Sequence, residues 1–187
     1  MATRFLAISG SLRAASTNSA ALEALALSAP AGVEVILYRD LAQLPAFNPD
    51  EDDEGRAPPA VAALRAIVRD CDGVIIAAPE YAHGVPGALK NALDWLVASD
   101  CFPGKPVALI NAAPRAFHAQ TALRETLATM AGRLVPEAFV TLPLTGQIVD
   151  AQAILGDPRL ARALREALDA LIAAIPAQAA PVALAPL

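Results

Sequence analysis

The chain has 187 residues, 56% of them apolar, with 14 basic against 19 acidic side chains and a net charge of −5. That length builds one domain with a sizeable core. The mild acidity and the lack of a basic stripe argue against nucleic acid as a partner, and no segment is long and apolar enough to span a membrane.

The two cysteines, Cys71 and Cys101, have no metal-type spacing and fit a reducing compartment. The N-terminus, Met1 to Ser9, reads as a strand that begins at once and not as a signal peptide. A cytoplasmic protein is therefore expected.

Phe5 to Ile8 is the first apolar run and the first strand. Ser9-Gly-Ser-Leu-Arg-Ala-Ala-Ser-Thr-Asn18 breaks it with small, hydroxylated residues, and Ala20 to Leu27 continues as a helix. A strand, a hydroxyl-rich loop and a helix start make the layout of an anion site, because the first helical N–H groups lack partners and the dipole favours negative charge. Ser11, Ser16, Thr17 and Asn18 add side-chain donors, and Arg13 adds a cation. Each of these residues taken singly also reads as an ordinary cap or a solvated side chain. The cluster as a whole reads as a phosphate site.

Val33 to Tyr38 is the second strand. The acidic run Asp50-Glu-Asp-Asp-Glu54 matches no calcium loop and is read as solvated. Pro59 opens a helix whose apolar face is Val61, Leu64, Ile67 and Val68. Gly73 to Ala78 is short and wholly apolar, as a buried parallel strand should be. The loop that follows holds Pro79, Gly84, Pro86 and Gly87. Its mixture of fixed and permissive dihedrals lets backbone N–H and C=O groups approach a flat ligand. A helix with Leu89, Leu93 and Leu96 comes next, with Trp95 in core or interface and Lys90 in solvent.

Pro106 to Ala112 is the fourth strand, ending in the loop Ala112 to His118, and Thr121 to Met130 is a helix. Leu134-Val135 and Ala138 to Leu142 supply a fifth strand interrupted by Pro136. Thr145 to Asp157 is a polar connection. Leu160 to Ile175 is the last helix, with Leu160, Leu164, Leu168, Leu171 and Ile175 on one face. The tail from about residue 176 is rich in Ala and Pro and is expected to fray. Alternating strands and helices predict an α/β three-layer sandwich around a five-stranded parallel sheet in the flavodoxin-like order 2-1-3-4-5. Its switch point lies between strands one and three, the two that lead into the singled-out loops.

Two motifs carry a resemblance. Gly10-Ser-Leu-Arg-x-x-Ser-x-Asn18 and Pro79-Glu-Tyr-x-x-Gly-x-Pro-Gly-x-Leu-Lys-Asn-Ala-Leu-Asp-Trp95 resemble the two signatures of the NADPH-dependent FMN reductase family, over nearly the whole chain. The resemblance implies a flavodoxin-like enzyme that passes hydride from NADPH (or NADH) to bound FMN. Electrons then go to a small-molecule acceptor: a quinone, an azo compound, a free flavin or a metal oxyanion. It implies that Ser11, Arg13, Ser16, Thr17 and Asn18 hold the FMN phosphate. Pro79, Glu80, Tyr81 and Ala82 run along the ring, His83 and Gly84 complete the turn, and residues 113–115 border the other edge. It also implies a homodimer or homotetramer, with Tyr81 either shielding the flavin or meeting a neighbour.

The chain departs from the family in two places. Ala82 stands where the family often has Asn, and Pro114-Arg-Ala-Phe-His118 replaces a Gly-Gly turn. Arg115 is read either as a ligand of an NADPH phosphate or as a surface arginine. No residue is assigned as a catalytic acid, since hydride transfer is the cofactor's chemistry; His83 and His118 are read as capping or packing. The alternative is a flavodoxin-type electron carrier that does not oxidise NADPH. A hydrolase is not expected, because the first loop has neither a cysteine nor the Gly-Lys-Ser/Thr of a Walker loop.

Overall fold

The structure is a computed structural model that describes residues 2–52, 56–144 and 149–175. Four apolar runs form adjacent parallel strands: β1 (Thr3–Ser9), β2 (Val33–Tyr38), β3 (Gly73–Ala77) and β4 (Pro106–Asn111). The expected fifth strand is present in two short pieces, β5 (Arg133–Leu134) and β6 (Val140–Thr141), both paired to β4. Pro136 explains the break. It has no N–H to give a ladder, and residues Pro136–Ala138 make a single 3₁₀ turn instead. The order is β2-β1-β3-β4-β5, the flavodoxin-like order.

Side chains alternate across the pleat, so each strand feeds two cores. Leu6, Ile8, Val74, Ile76, Val107 and Leu109 face one layer, under α2 (Pro59–Asp70), α3 (Gly87–Val97) and α4 (Phe117–Thr129). Phe5, Ala7, Ile75, Ala77, Ala108 and Ile110 face the other, under α1 (Thr17–Leu27), α5 (Ala151–Gly156) and α6 (Pro158–Ala173). Gly73 is needed at the centre. A Cβ there would sit 2.9 Å from the Pro106 carbonyl oxygen and 3.1 Å from two carbons of the Phe5 ring.

Several boundaries differ from the sequence reading. α1 starts at Thr17, three residues early, because Ser16 caps it. α4 starts at Phe117, so His118 is helical. Part of the polar connection is the helix α5, capped by Asp150, while residues 145–148 lie outside the described residues. α6 ends at Ala173, with Leu164, Leu168 and Leu171 buried. Trp95 is core, and its Nε1 donates to the Pro45 carbonyl at 2.9 Å. Lys90 is exposed and pairs with Asp94.

The acidic run is not simply solvated. Asp50 and Glu51 sit in a 3₁₀ turn, and residues 53–54 lie outside the described residues. Asp52 is buried against the guanidinium of Arg65, the two side chains being 8% and 9% exposed. Arg65 also donates to the Trp95 carbonyl, from Nε at 3.1 Å and from Nη2 at 2.6 Å. The long β2–α2 connection is thereby strapped to α3.

Candidate functional site

The first loop is built by hydroxyls. Ser16 is the N-cap of α1, its Oγ accepting from the Ser19 N–H at 3.2 Å. That leaves the Thr17 and Asn18 amides, the first of the helix, without intrahelical acceptors. The Ser19 hydroxyl donates to Ser9 Oγ at 2.9 Å, and Ser9 Oγ accepts from the Ser11 N–H at 3.3 Å. The loop is thus folded back on the end of β1. Its floor is Gly10, whose N–H donates to the Ala77 carbonyl of β3 at 2.8 Å. A Cβ at Gly10 would lie 3.1 Å from Leu89 Cδ2 on α3 and 3.3 Å from Ala78 Cβ, so glycine lets the first loop sit close against α3 and the start of the β3 loop without a shift of either.

A cleft of about 420 Å³ opens over this loop. Ser9, Ser11, Arg13, Ser16 and Ser19 line one wall, and Tyr38, Arg39, Val149 and Asp150 line the opposite one. Two of the charges there are already paired: Arg39 with Glu23 at 2.9 Å, and Asp150 with the α5 backbone that it caps. Burial raises the ionisation point of the Tyr38 hydroxyl, with Asp40 adding to the effect, so Tyr38 stays a neutral hydroxyl at the cleft wall. Among the expected residues, Ser11, Arg13 and Ser16 line the cleft. Thr17 and Asn18 lie just inside α1, and Asn18 is buried with its Oδ1 unpartnered. Ser9 and Ser19 were not anticipated, although the Ser16–Ser19 spacing of three along one helix start was there to read.

The β3 loop turns sharply at residues 81–84. Gly84 N–H donates to the Tyr81 carbonyl at 2.9 Å and Tyr81 N–H to the Gly84 carbonyl at 3.2 Å. The two residues between, Ala82 and His83, both take positive φ, 48° and 60°. Each left-handed non-glycine residue costs about 1 kcal/mol, and asparagine tolerates that region better than alanine. Ala82→Asn is therefore expected to raise the unfolding free energy by ~0.5 kcal/mol or more in urea titration. A decrease would show that the alanine conformation is not strained.

Glu80 has an unexpected role. Its carboxylate is only 13% exposed, and Oε2 accepts from the Ala119 N–H at 2.9 Å. Ala119 is in the first turn of α4, and the residue before that helix, Ala116, has no side chain to cap with. Glu80 caps the helix from another loop, a favourable place for an anion. His83 extends the same tie. Its ring stacks on His118 at 4.3 Å between centroids, and His118 in turn packs on Phe117 at 4.0 Å. The β3 and β4 loops therefore act as one rim. Pro79 to Gly84 do not line the 420 Å³ cleft, which opens on the β2 side of β1. Arg115 is exposed on the β4 loop, away from the cleft. Inside that loop, buried Asn111 turns the chain by accepting from the Ala113 N–H at 3.0 Å.

The donor set suits a phosphate monoester carrying a flat, polyhydroxylated body. Hydroxyls, free helix-start amides and Arg13, which has no ion pair among the described residues, suit the anion. The residues present thus fit FMN.

Residues 3–147 match the family described as NADPH-dependent FMN reductase. An NAD(P)H-dependent FMN reductase of Pseudomonas aeruginosa is 35% identical over 173 residues, covering 90% of this chain and 92% of its own. A quinone reductase of Escherichia coli K12 is 42% identical over 100 residues, 52% of this chain and 53% of its own. Among solved structures, the flavoenzyme FerB of Paracoccus denitrificans, an NAD(P)H:(acceptor) oxidoreductase, superposes with a TM-score of 0.73. It is 27% identical and the match covers 92% of this chain and 97% of that one. Among the described residues, no helix is long and apolar enough to cross a membrane.

Proposed function

The chain belongs to the NADPH-dependent FMN reductase family and is an NAD(P)H-driven flavin oxidoreductase, and from that premise we propose how its residues divide the work. Ser11, Arg13, Ser16, Thr17 and Asn18 hold the FMN phosphate and the adjoining hydroxyls. Pro79, Glu80, Tyr81, Ala82, His83 and Gly84 present the ring edge, and Arg115, exposed on the β4 loop, is available to a phosphate of the nicotinamide nucleotide. Bound FMN supplies two-electron chemistry, accepting hydride from the nicotinamide and giving electrons to the acceptor.

The observation that carries this division is the contact at Gly10, which joins the hydroxyl loop to the β3 loop at the sheet's switch point. Glu80 acts here through the backbone. By capping α4 it holds the β3 and β4 loops at a fixed separation, and the carboxylate itself stays out of the chemistry. The rim is open, so the nicotinamide and the acceptor use one place in turn.

The acceptor is a small molecule, and we read it as a quinone, with azo compounds, free flavin and metal oxyanions as further candidates. Residues 1–187 are read as one reductase domain. The two buried free thiols support a reducing, cytoplasmic setting. A homodimer or homotetramer is the proposed assembly, supported by the exposed aromatics of the rim, Tyr81 at 52% and Phe117 at 61%.

An anaerobic absorbance titration tests the reading. Protein loaded with FMN is expected to bleach when NADPH is added and to regain its colour with a quinone. Bound flavin that stays oxidised under NADPH alone would make the protein a carrier and overturn the reading.

A further inference from the structure

A second cleft, of about 290 Å³, lies between the start of α4 and the edge strand β6, on the far flank of the β4 loop. Gln120, Arg124, Phe139 and Val140, which line it, have no part in the reductase reading. Gln120 lines it, is 6% exposed, and has an Nε2 without any hydrogen-bond partner. Native interiors rarely leave such a donor unpaired.

Two other polar atoms of the lining already have partners. The Thr121 hydroxyl donates to the Phe117 carbonyl at 2.9 Å, and Asn111 Oδ1 accepts from the Ala113 N–H. Arg124 stands one helical turn beyond Gln120 on the same cleft, its guanidinium carbon 4.8 Å from the centroid of the Phe139 ring. That contact steadies the fork while its donors keep their capacity. Leu109, Phe117 and Val140 make apolar wall, and no aspartate or glutamate lines the space.

We propose that this cleft binds a small monocarboxylate with an apolar or aromatic body, its carboxylate held by Gln120 Nε2 and the Arg124 guanidinium. An amide donor beside a planar cation matches the two oxygens of a carboxylate, and a neutral ligand would leave the arginine without its charge partner. A phosphate monoester fits less well. It would bring a second negative charge against a single cation, and the apolar walls would desolvate it. The volume suits a benzoate-sized acid at the low end of ligand sites.

The test is a ligand-observed NMR titration of the FMN-loaded, full-length protein with sodium benzoate, and with benzyl alcohol as the neutral counterpart. Benzoate is expected to saturate, and benzyl alcohol to bind at least about tenfold more weakly. Gln120→Leu and Arg124→Met are each expected to weaken benzoate by about tenfold or more. Gln120→Leu removes a buried unpaired donor and should melt no lower than the parent. Arg124 is exposed, so its variant keeps the test valid if the first folds poorly. Benzoate that does not saturate in the millimolar range, or that binds both variants as it binds the parent, overturns the proposal. So does benzoate that displaces FMN with undiminished affinity for the variants, because it would then sit in the flavin site. None of these readouts depends on NADPH oxidation, so the reductase reading stands or falls separately.

Discussion

Asp52→Ala is expected to destabilise the protein by about 3 kcal/mol, measured by urea unfolding at neutral pH. The carboxylate lies against Arg65 with both side chains more than nine-tenths buried. Removing it leaves a guanidinium in the core whose one remaining hydrogen-bond partner among the described residues is the Trp95 carbonyl. A buried charge stripped of its partner costs several kcal/mol, whereas exposed pairs such as Arg69–Asp100 contribute 1 kcal/mol or less.

The effect should spread along the strap. Phe47 N–H donates to Asn91 Oδ1 at 2.8 Å, Asn91 and Trp95 both donate to the Pro45 carbonyl, and Phe47 packs edge-on against Trp95 at 5.0 Å. These contacts hold the same loop on the same helix. A double variant, Asp52→Leu with Arg65→Met, is expected to recover most of the loss, because an apolar pair of similar volume needs no desolvation. A single-variant loss below about 1 kcal/mol would mean that water reaches the pair and that the strap is held by Trp95 and Asn91 alone.

Asp52 also shows where the sequence stops being legible. In a run of acids it reads as solvated, because its partner is thirteen residues away in a helix. The clue was Arg65 itself, a charge beside Leu64 that is buried on the helix face with Val61, Leu64 and Val68. The start of α4 was unreadable for a related reason. Ala116 has no capping side chain, and the cap arrives at Ala119 from Glu80, 39 residues before it. By contrast, β1, β3 and β4 were plain, since a strand buried on both faces must be a short, wholly apolar run. Their order followed from strands alternating with helices. The hydroxyl-rich make-up of the first loop was legible, but the opposite wall of its cleft was not. Tyr38, Arg39 and Asp150 come to it through the β2 ending and the α5 cap, which no local pattern links to residues 9–19.

Arg13→Met is expected to raise the FMN dissociation constant by about tenfold to a hundredfold while leaving riboflavin binding nearly unchanged. Flavin fluorescence quenching measures both. The comparison isolates the phosphate, the one group that FMN has and riboflavin lacks. Arg13 is the informative position because of how charge is distributed in the cleft. Arg39 is already engaged by Glu23, and Asp150 by its helix. Arg13 is exposed on the loop with no ion pair among the described residues, so its cation is available to an anion. Ser16 is a poorer probe, since Ser16→Ala also removes the cap of α1, worth about 1 kcal/mol of stability. The arginine's contribution to FMN affinity should shrink with added salt, as expected of a contact near the surface. Equal weakening of FMN and riboflavin would mean that Arg13 acts by shaping the loop. No weakening of either would leave the phosphate to the hydroxyls and helix-start amides, and would remove Arg13 from the site.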